Sequence, residues 1–233
     1  MIRKHIPNTI TSLNLASGCG SIIFALEGNY QVAAYLILLA AIFDFFDGFA
    51  ARLLKAYSNI GKELDSLADV VSFGVAPGMI IFKFMKDLCE TSGYPEWISW
   101  FAMLIPVFSA IRLAKFNLDE RQTSSFLGLP TPANALFWSF GLAYAAGNLV
   151  YTTIFPFIIL LAVFVFSWLL ICEVPMFSLK FKNFGWKANN KQYIFLLCCL
   201  ILIAVFGFAG ISACILLYVF MSIFSLGLVK KEK

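Results

Sequence analysis

The 233 residues are 61% hydrophobic and only 13% charged, with a mean hydropathy of +0.87. A water-soluble domain of this length needs far more polar surface, so the composition predicts a polytopic membrane protein. The net charge of +4 is small and dispersed, and no basic–aromatic platform accompanies it, which argues against nucleic acid as a partner.

Eight apolar stretches follow one another, at roughly 9–27, 30–54, 64–86, 95–117, 132–149, 152–171, 192–208 and 210–228. Each is close to the ~20 residues that a helix needs to cross a bilayer. Pro7-Asn8 opens the first. Its basic tip is followed by a polar-interrupted run without a clear cleavage site, so we expect a retained helix and not a removed signal peptide. Gly28-Asn29 separates the first two stretches, Ser58-Asn59 the second from the third, and Pro95 begins the fourth. Pro130 and Pro132 precede the fifth, Thr152-Thr153 sits in a short turn, and the last two stretches form a hairpin around Gly207–Gly210. The six cysteines form no CxxC pair and read as inert buried thiols. His5, the only histidine, reads as an ordinary polar residue at the membrane surface. No internal repeat, linker or low-complexity tract interrupts the pattern.

The basic residues test this layout. If eight spans alternate, Arg3, Lys4, Arg52, Lys55, Lys62, Arg112, Lys115, Arg121, Lys180, Lys182, Lys187, Lys191, Lys230, Lys231 and Lys233 fall on one side. Only Lys83 and Lys86 fall on the other, beside Asp87, Glu90 and Glu96. The positive-inside rule makes the first side cytoplasmic and places both termini there, in a multi-pass protein of the cell (inner) membrane.

The chemistry concentrates in 44–69, DFFDGFAARLLKAYSNIGKELDSLAD. On a helix Asp44, Asp47, Gly48 and Ala51 share one face, at i, i+3, i+4 and i+7. Beyond a polar turn, Gly61, Asp65 and Asp69 share a face at i, i+4 and i+8. Two facing helices would aim four carboxylates at one point, and intramembrane carboxylates generally mark a site. Four such anions cannot all stay ionised at close range without counter-charge. Two divalent cations would cancel them, and oxygen-only ligands favour Mg²⁺ or Mn²⁺.

The pattern D-x2-D-G-x2-A-R-x8-G-x3-D-x3-D, met by Asp44, Asp47, Gly48, Ala51, Arg52, Gly61, Asp65 and Asp69, resembles the signature of the CDP-alcohol phosphatidyltransferases. The resemblance implies an all-α integral membrane protein: a six-helix core over 1–175, then a basic loop and a C-terminal helical hairpin over 176–233. It implies displacement of CMP from CDP-diacylglycerol by an alcohol. Asp44, Asp47 and Asp65 match metal-ligand positions, and Asp69 matches the general base, with a further share in the second metal. Asn8 and Thr11, in the series Pro7-Asn8-x2-Thr11-x2-Asn14-x3-Gly18, resemble the family's amino-terminal nucleotide-contact segment. Gly48, Ala51, Arg52 and Ser58 match other contacts to the CDP-lipid. For Gly48 and Ala51 helix packing is the alternative, and for Arg52 a membrane-end anchor.

Three further runs, SFGVAP at 72–77, RLAKFN at 112–117 and FLGLPTP at 126–132, resemble the serine-using branch. They imply L-serine as acceptor with Arg112 on its carboxylate, anchoring at the membrane end being the alternative role. The family also implies a homodimer. Glycerol 3-phosphate or an inositol compound is the rival acceptor. An ion-coupled transporter is the rival of another class, but it calls for broken mid-membrane helices in two matching halves, which the sequence lacks.

Overall fold

The computed structural model describes residues 5–119, 127–148, 153–176 and 185–229. Arg3, Lys4, Arg121, Phe126, Thr152, Lys180, Lys182, Lys230, Lys231 and Lys233 lie outside them, as does the side chain of Lys187. The described chain is all-helical apart from an isolated bridge between Leu127 and Pro175. Among the described residues the helical runs are α1 (His5–Leu26), α2 (Tyr30–Leu54), α3 (Asn59–Ser92), α4 (Glu96–Leu118), α5 (Thr131–Asn148), α6 (Phe155–Ile171), α7 (Trp186–Phe206) and α8 (Phe208–Val229).

The eight stretches read from the sequence thus each become a helix, with shifts that have local causes. α3 begins five residues earlier than its apolar run because Ser58 caps it, accepting a hydrogen bond from Gly61 N at 3.0 Å. It also contains a π-helical turn over Val70–Val75. α4 opens as a 3₁₀ segment over Glu96–Met103. α1 to α4 and the Asn189–Phe206 part of α7 are long and apolar enough to cross a membrane, while α6 and Phe208–Phe224 are apolar but shorter. α5 belongs to neither group. Thr131, Asn134 and Ser139 interrupt it, and all three are buried against protein. A helix enclosed by its neighbours can carry polar side chains that a lipid-facing one cannot.

Phe73, Ile80, Ile81 and Met85 of α3 are fully buried, with Ile37 of α2, Ile105 of α4 and Phe140 of α5. α3 is therefore the central helix, and the site it carries is held from several sides. Outward, Leu53, Leu161, Leu200 and Val205 are each about two-thirds exposed, at 69%, 66%, 67% and 67%. Leaving such side chains in water costs roughly 1.5–3 kcal/mol each, a cost that hydrocarbon removes.

Two connections fix the ends of the site-bearing helices. The α2–α3 turn spans only 55–58, with Lys55 in the left-handed region. Before α5, Gly128 has φ +73°, and a Cβ there would stand 2.8 Å from Leu170 O and 2.9 Å from Cys172 O. That close approach lets Gly128 N donate to Val174 O and Leu129 N to Leu169 O, at 2.9 and 2.8 Å. The GLP part of FLGLPTP therefore pins the start of α5 to the end of α6. The two lysines that stand apart from the other bases are both paired, Lys83 with Asp87 at 2.6 Å and Lys86 with Glu96 at 3.3 Å. Tyr30 adds a hydrogen bond to Asp87 at 3.2 Å.

Candidate active site

The last turns of α2 carry Asp44 and Asp47, and the first turns of α3 carry Asp65 and Asp69. The short turn between the helices folds them against one another. Carboxylate oxygens of Asp44, Asp47 and Asp65 all lie within 4.8 Å of one another. Asp47 is the most enclosed, at 5% exposure. No lysine or arginine among the described residues makes an ion pair with the three. At such separations each pair of like charges costs roughly 3–4 kcal/mol at an effective dielectric near 20.

A cation is the counter-charge these residues suit. The buried Asp65 Oδ1 has no hydrogen-bond partner among the described residues. An all-oxygen donor set with an unsatisfied carboxylate oxygen fits a hard metal ion, so the group can hold one. Asp69, one turn further along α3, is not part of this close group. It accepts a hydrogen bond from Asn14 Nδ2 at 3.3 Å.

α1 supplies the outer support. The Thr11 hydroxyl lies 2.6 Å from Asp47 Oδ2 and 3.0 Å from Pro7 O, so it can orient the Asp47 carboxylate. Asn14 is fully buried, and its carbonyl accepts a hydrogen bond from Ser72 Oγ at 3.0 Å. α1 is thereby bonded both to the carboxylate helices and to the π-helical turn. Asn14 is a partner of Asp69 that the spacing of Asn8, Thr11 and Asn14 could have revealed, since the three recur at i, i+3 and i+6 on one face.

Beside the carboxylates opens a cleft of about 470 Å³ between α1, the end of α2 and the start of α3. Asn8, Thr11, Gly48, Ala51, Arg52 and Ser58, the residues expected to contact a CDP-lipid, all line it, with Asp47 and Asp65. Gly48 is not packed against another helix, because a Cβ there would meet only the Arg52 guanidinium, at 3.6 Å. Its lack of a side chain leaves room for that cation to lie over the helix. At Gly61 a Cβ would stand 2.9 Å from both Asn8 Oδ1 and Ser58 Oγ, so glycine lets α1 approach the start of α3.

Arg112 sits elsewhere. It is 7% exposed on α4 and lines a separate cavity of about 410 Å³. Its Nη1 is 3.5 Å from Thr131 Oγ1, the limit of a hydrogen bond, and its guanidinium lies 5.1 Å from the Phe116 ring centre. No carboxylate among the described residues pairs with it at ion-pair distance. The Asp69 carboxylate and the Tyr218 hydroxyl are nonetheless within electrostatic reach. A buried guanidinium offers five donors, and this one has few partners among the described residues to use them on. Thr131 and Tyr218 were not foreseen. Tyr218 belongs to the last hairpin, and nothing in its apolar surroundings marks it.

A family model described as CDP-alcohol phosphatidyltransferase matches residues 4–178. A Mycobacterium leprae protein named CDP-diacylglycerol–serine O-phosphatidyltransferase is 40% identical over 139 residues, 56% of this chain and 44% of that protein. A Bacillus subtilis protein of the same name is 36% identical over 136 residues, 55% of this chain and 70% of that protein. An archaetidylserine synthase of Methanothermobacter thermautotrophicus is 35% identical over 134 residues, 56% of this chain and 54% of that protein. The match thus spans about half the length of the Mycobacterium and Methanothermobacter proteins.

Proposed function

The chain belongs to the CDP-alcohol phosphatidyltransferase family, and we propose that it transfers the phosphatidyl group of CDP-diacylglycerol to L-serine, giving phosphatidylserine and CMP. The observation that carries this reading is the carboxylate group of Asp44, Asp47 and Asp65 at the edge of a cleft lined by every residue expected to hold the CDP-lipid. The relatives named as serine transferases support the choice of acceptor. So does a buried, under-partnered guanidinium within electrostatic reach of Asp69.

In this mechanism the serine hydroxyl oxygen attacks the phosphatidyl phosphorus and the anhydride bond to CMP breaks. CMP leaves with the bonding electrons, and the hydroxyl proton passes to the Asp69 carboxylate. Asn14 holds that carboxylate in place, and Thr11 does the same for Asp47. Asn8, Gly48, Ala51, Arg52 and Ser58 bind the nucleotide and its phosphates, with Arg52 suited to a bidentate contact. Asp44, Asp47 and Asp65, with a share from Asp69, would hold two divalent cations, Mg²⁺ or Mn²⁺, whose charge offsets the carboxylates and the pyrophosphate. Arg112 receives the serine carboxylate.

The proposal extends to setting. The chain lies in the cell (inner) membrane with the site and both termini facing the cytoplasm, as the bias of its basic residues favours. It acts as a homodimer, as the family resemblance implies. Residues 1–175 form the catalytic core, and 176–233 an appended loop and hairpin of the same membrane domain. The test is CMP release from CDP-diacylglycerol by the purified protein. Release should require serine together with Mg²⁺ or Mn²⁺. Release driven by glycerol 3-phosphate or an inositol compound, and not by serine, would replace the acceptor.

A further inference from the structure

The C-terminal hairpin does more than border the core. α8 packs on α5 as extensively as on its own hairpin partner α7. At the start of α8 the Phe208 ring meets Phe140, with ring centres 5.4 Å apart, and Tyr35 of α2 at 5.1 Å. Further along, Ser212 Oγ donates to Phe137 O at 2.7 Å. Gly141 leaves room for this approach, since a Cβ there would stand 3.1 Å from Ser212 Oγ. Moving forward along α8 thus means moving back along α5, so the two helices run antiparallel. The stretch from Ser212 to Tyr218 matches in length that from Phe137 back to Thr131, about 9 Å at the α-helical rise. The register therefore brings Tyr218 level with Thr131, the residue that Arg112 Nη1 approaches at 3.5 Å. Tyr218 is buried, at 7% exposure, with its ring centre 6.1 Å from that of Phe195 on α7. Arg112 and Tyr218 lie within electrostatic reach of one another.

We infer that Tyr218 is a positioning residue for Arg112, supplied by a hairpin that lies outside the family match over 4–178. The inference rests on the proposed role of Arg112 in receiving serine and adds the group that holds it ready. Burial takes the guanidinium out of water. Its other partners among the described residues are a marginal hydrogen bond to Thr131 and the Phe116 ring. A buried tyrosine keeps its hydroxyl toward a polar group, and a hydroxyl oxygen can accept from a guanidinium N–H. A carboxylate in that place would cancel the positive charge that a substrate carboxylate needs. A neutral phenol steadies the guanidinium and leaves its charge uncancelled. That suits a cation that stays buried between turnovers and takes up an anion in each one.

Tyr218→Phe tests this in the full-length protein, because it removes one oxygen and keeps the ring that packs near Phe195. In serine-dependent CMP release, KM for serine should rise about threefold to tenfold, the scale of one polar contact. The values of kcat and of KM for CDP-diacylglycerol should hold. A second arm places the same change in an Arg112→Ala background, where it should add nothing. A residue that acts through Arg112 has no further effect once that side chain is gone, whereas independent sites add. An unchanged KM for serine in Tyr218→Phe, or a fall in kcat alone, would overturn the positioning role. So would a full additional effect in the Arg112→Ala background. An equal rise in KM for both substrates would assign the hydroxyl to packing of the hairpin and overturn it as well. Absence of any serine-dependent CMP release by the unaltered protein would instead defeat the proposed serine transfer, and the positioning role with it.

Discussion

The cleft at the α2–α3 turn and the cavity beside Arg112 are built on opposite plans. The cleft is acidic and local, with its carboxylates drawn from 26 consecutive residues and oriented by one helix that precedes them. The cavity is of mixed charge and assembled from distant parts, with α4, the segment before α5 and the end of α6 each contributing. Beside the cleft, Thr11 and Asn14 hydrogen-bond the Asp47 and Asp69 carboxylates; in the cavity, the central cation has only a marginal hydrogen bond among the described residues. A site that handles the leaving nucleotide can be rigid and shared by a whole family. A site that selects the acceptor must differ among members, and distant elements can vary there without disturbing the carboxylates.

The largest expected effect lies in the acidic cleft. Asp65→Asn should abolish both divalent-cation binding, read by Mn²⁺ paramagnetic resonance, and CMP release, because it removes charge from a group whose geometry suits a cation. Full cation binding with lost turnover would separate Asp65 from the metal. Asp69→Asn should behave differently, keeping part of its cation and CDP-diacylglycerol binding while turnover falls by ~10²–10⁴, the usual share of general base catalysis. Direct attack also requires inversion at a chiral phosphorus; net retention would point to a covalent intermediate.

Arg112→Ala carries the comparison to the second region. Loss of one buried charged partner costs about 2–5 kcal/mol, roughly thirtyfold or more in serine use, with CDP-diacylglycerol binding kept. An unchanged KM for serine would return Arg112 to a membrane-end anchor. Thr11→Val tests the support of the first region, since outer partners of metal ligands are worth about 10–100-fold. We place this variant near tenfold in Mn²⁺ affinity, because Asp47 keeps its own burial and only the 2.6 Å bond is lost. The smallest effect is on activity and the most informative on orientation. Cysteine at exposed Asn59, in a background without the native cysteines, should resist impermeant thiol reagents in intact cells and react after permeabilisation. Labelling from outside would invert the layout.

The same contrast explains what could be read from the chain alone. Helix positions followed from apolar runs of membrane length, and the carboxylate group from its period along two adjacent helices. Those signals are local, and a short turn is enough to bring them together. Gly48 and Ala51 were likewise legible from their phase with the carboxylates, whereas Asn8, Thr11, Arg52 and Ser58 were legible through the family resemblance. Arg112 could be picked out but not placed, since its surroundings include Thr131 of another helix, and the packing of those two helices has no sequence period. Nothing in the sequence pattern marks Asp119 or Glu173, and only tertiary contact gives them a shared cavity. α5 was expected as one more span, although its buried Asn134 and Ser139 suit an enclosed helix.

The π-helical turn over Val70–Val75 has a consequence for how the protein tolerates change. A π-turn amounts to one extra residue inside an α-helix, and such bulges recur at functional sites. Removing that residue would let the helix close to its ordinary pitch with the turns beyond kept near their phase, whereas removing one from the regular turns that follow, at Gly78 for example, would rotate everything beyond by about 100° relative to Asp65 and Asp69. Phe84, Met85 and Leu88 would leave the core, and the Lys83–Asp87 pair would turn with them. Residue count is therefore the strict quantity in the regular turns over Ala76–Ser92 and the tolerant one in the π-turn before them. A one-codon deletion is thus absorbed at Val70–Val75 and displaces the core face when it falls beyond.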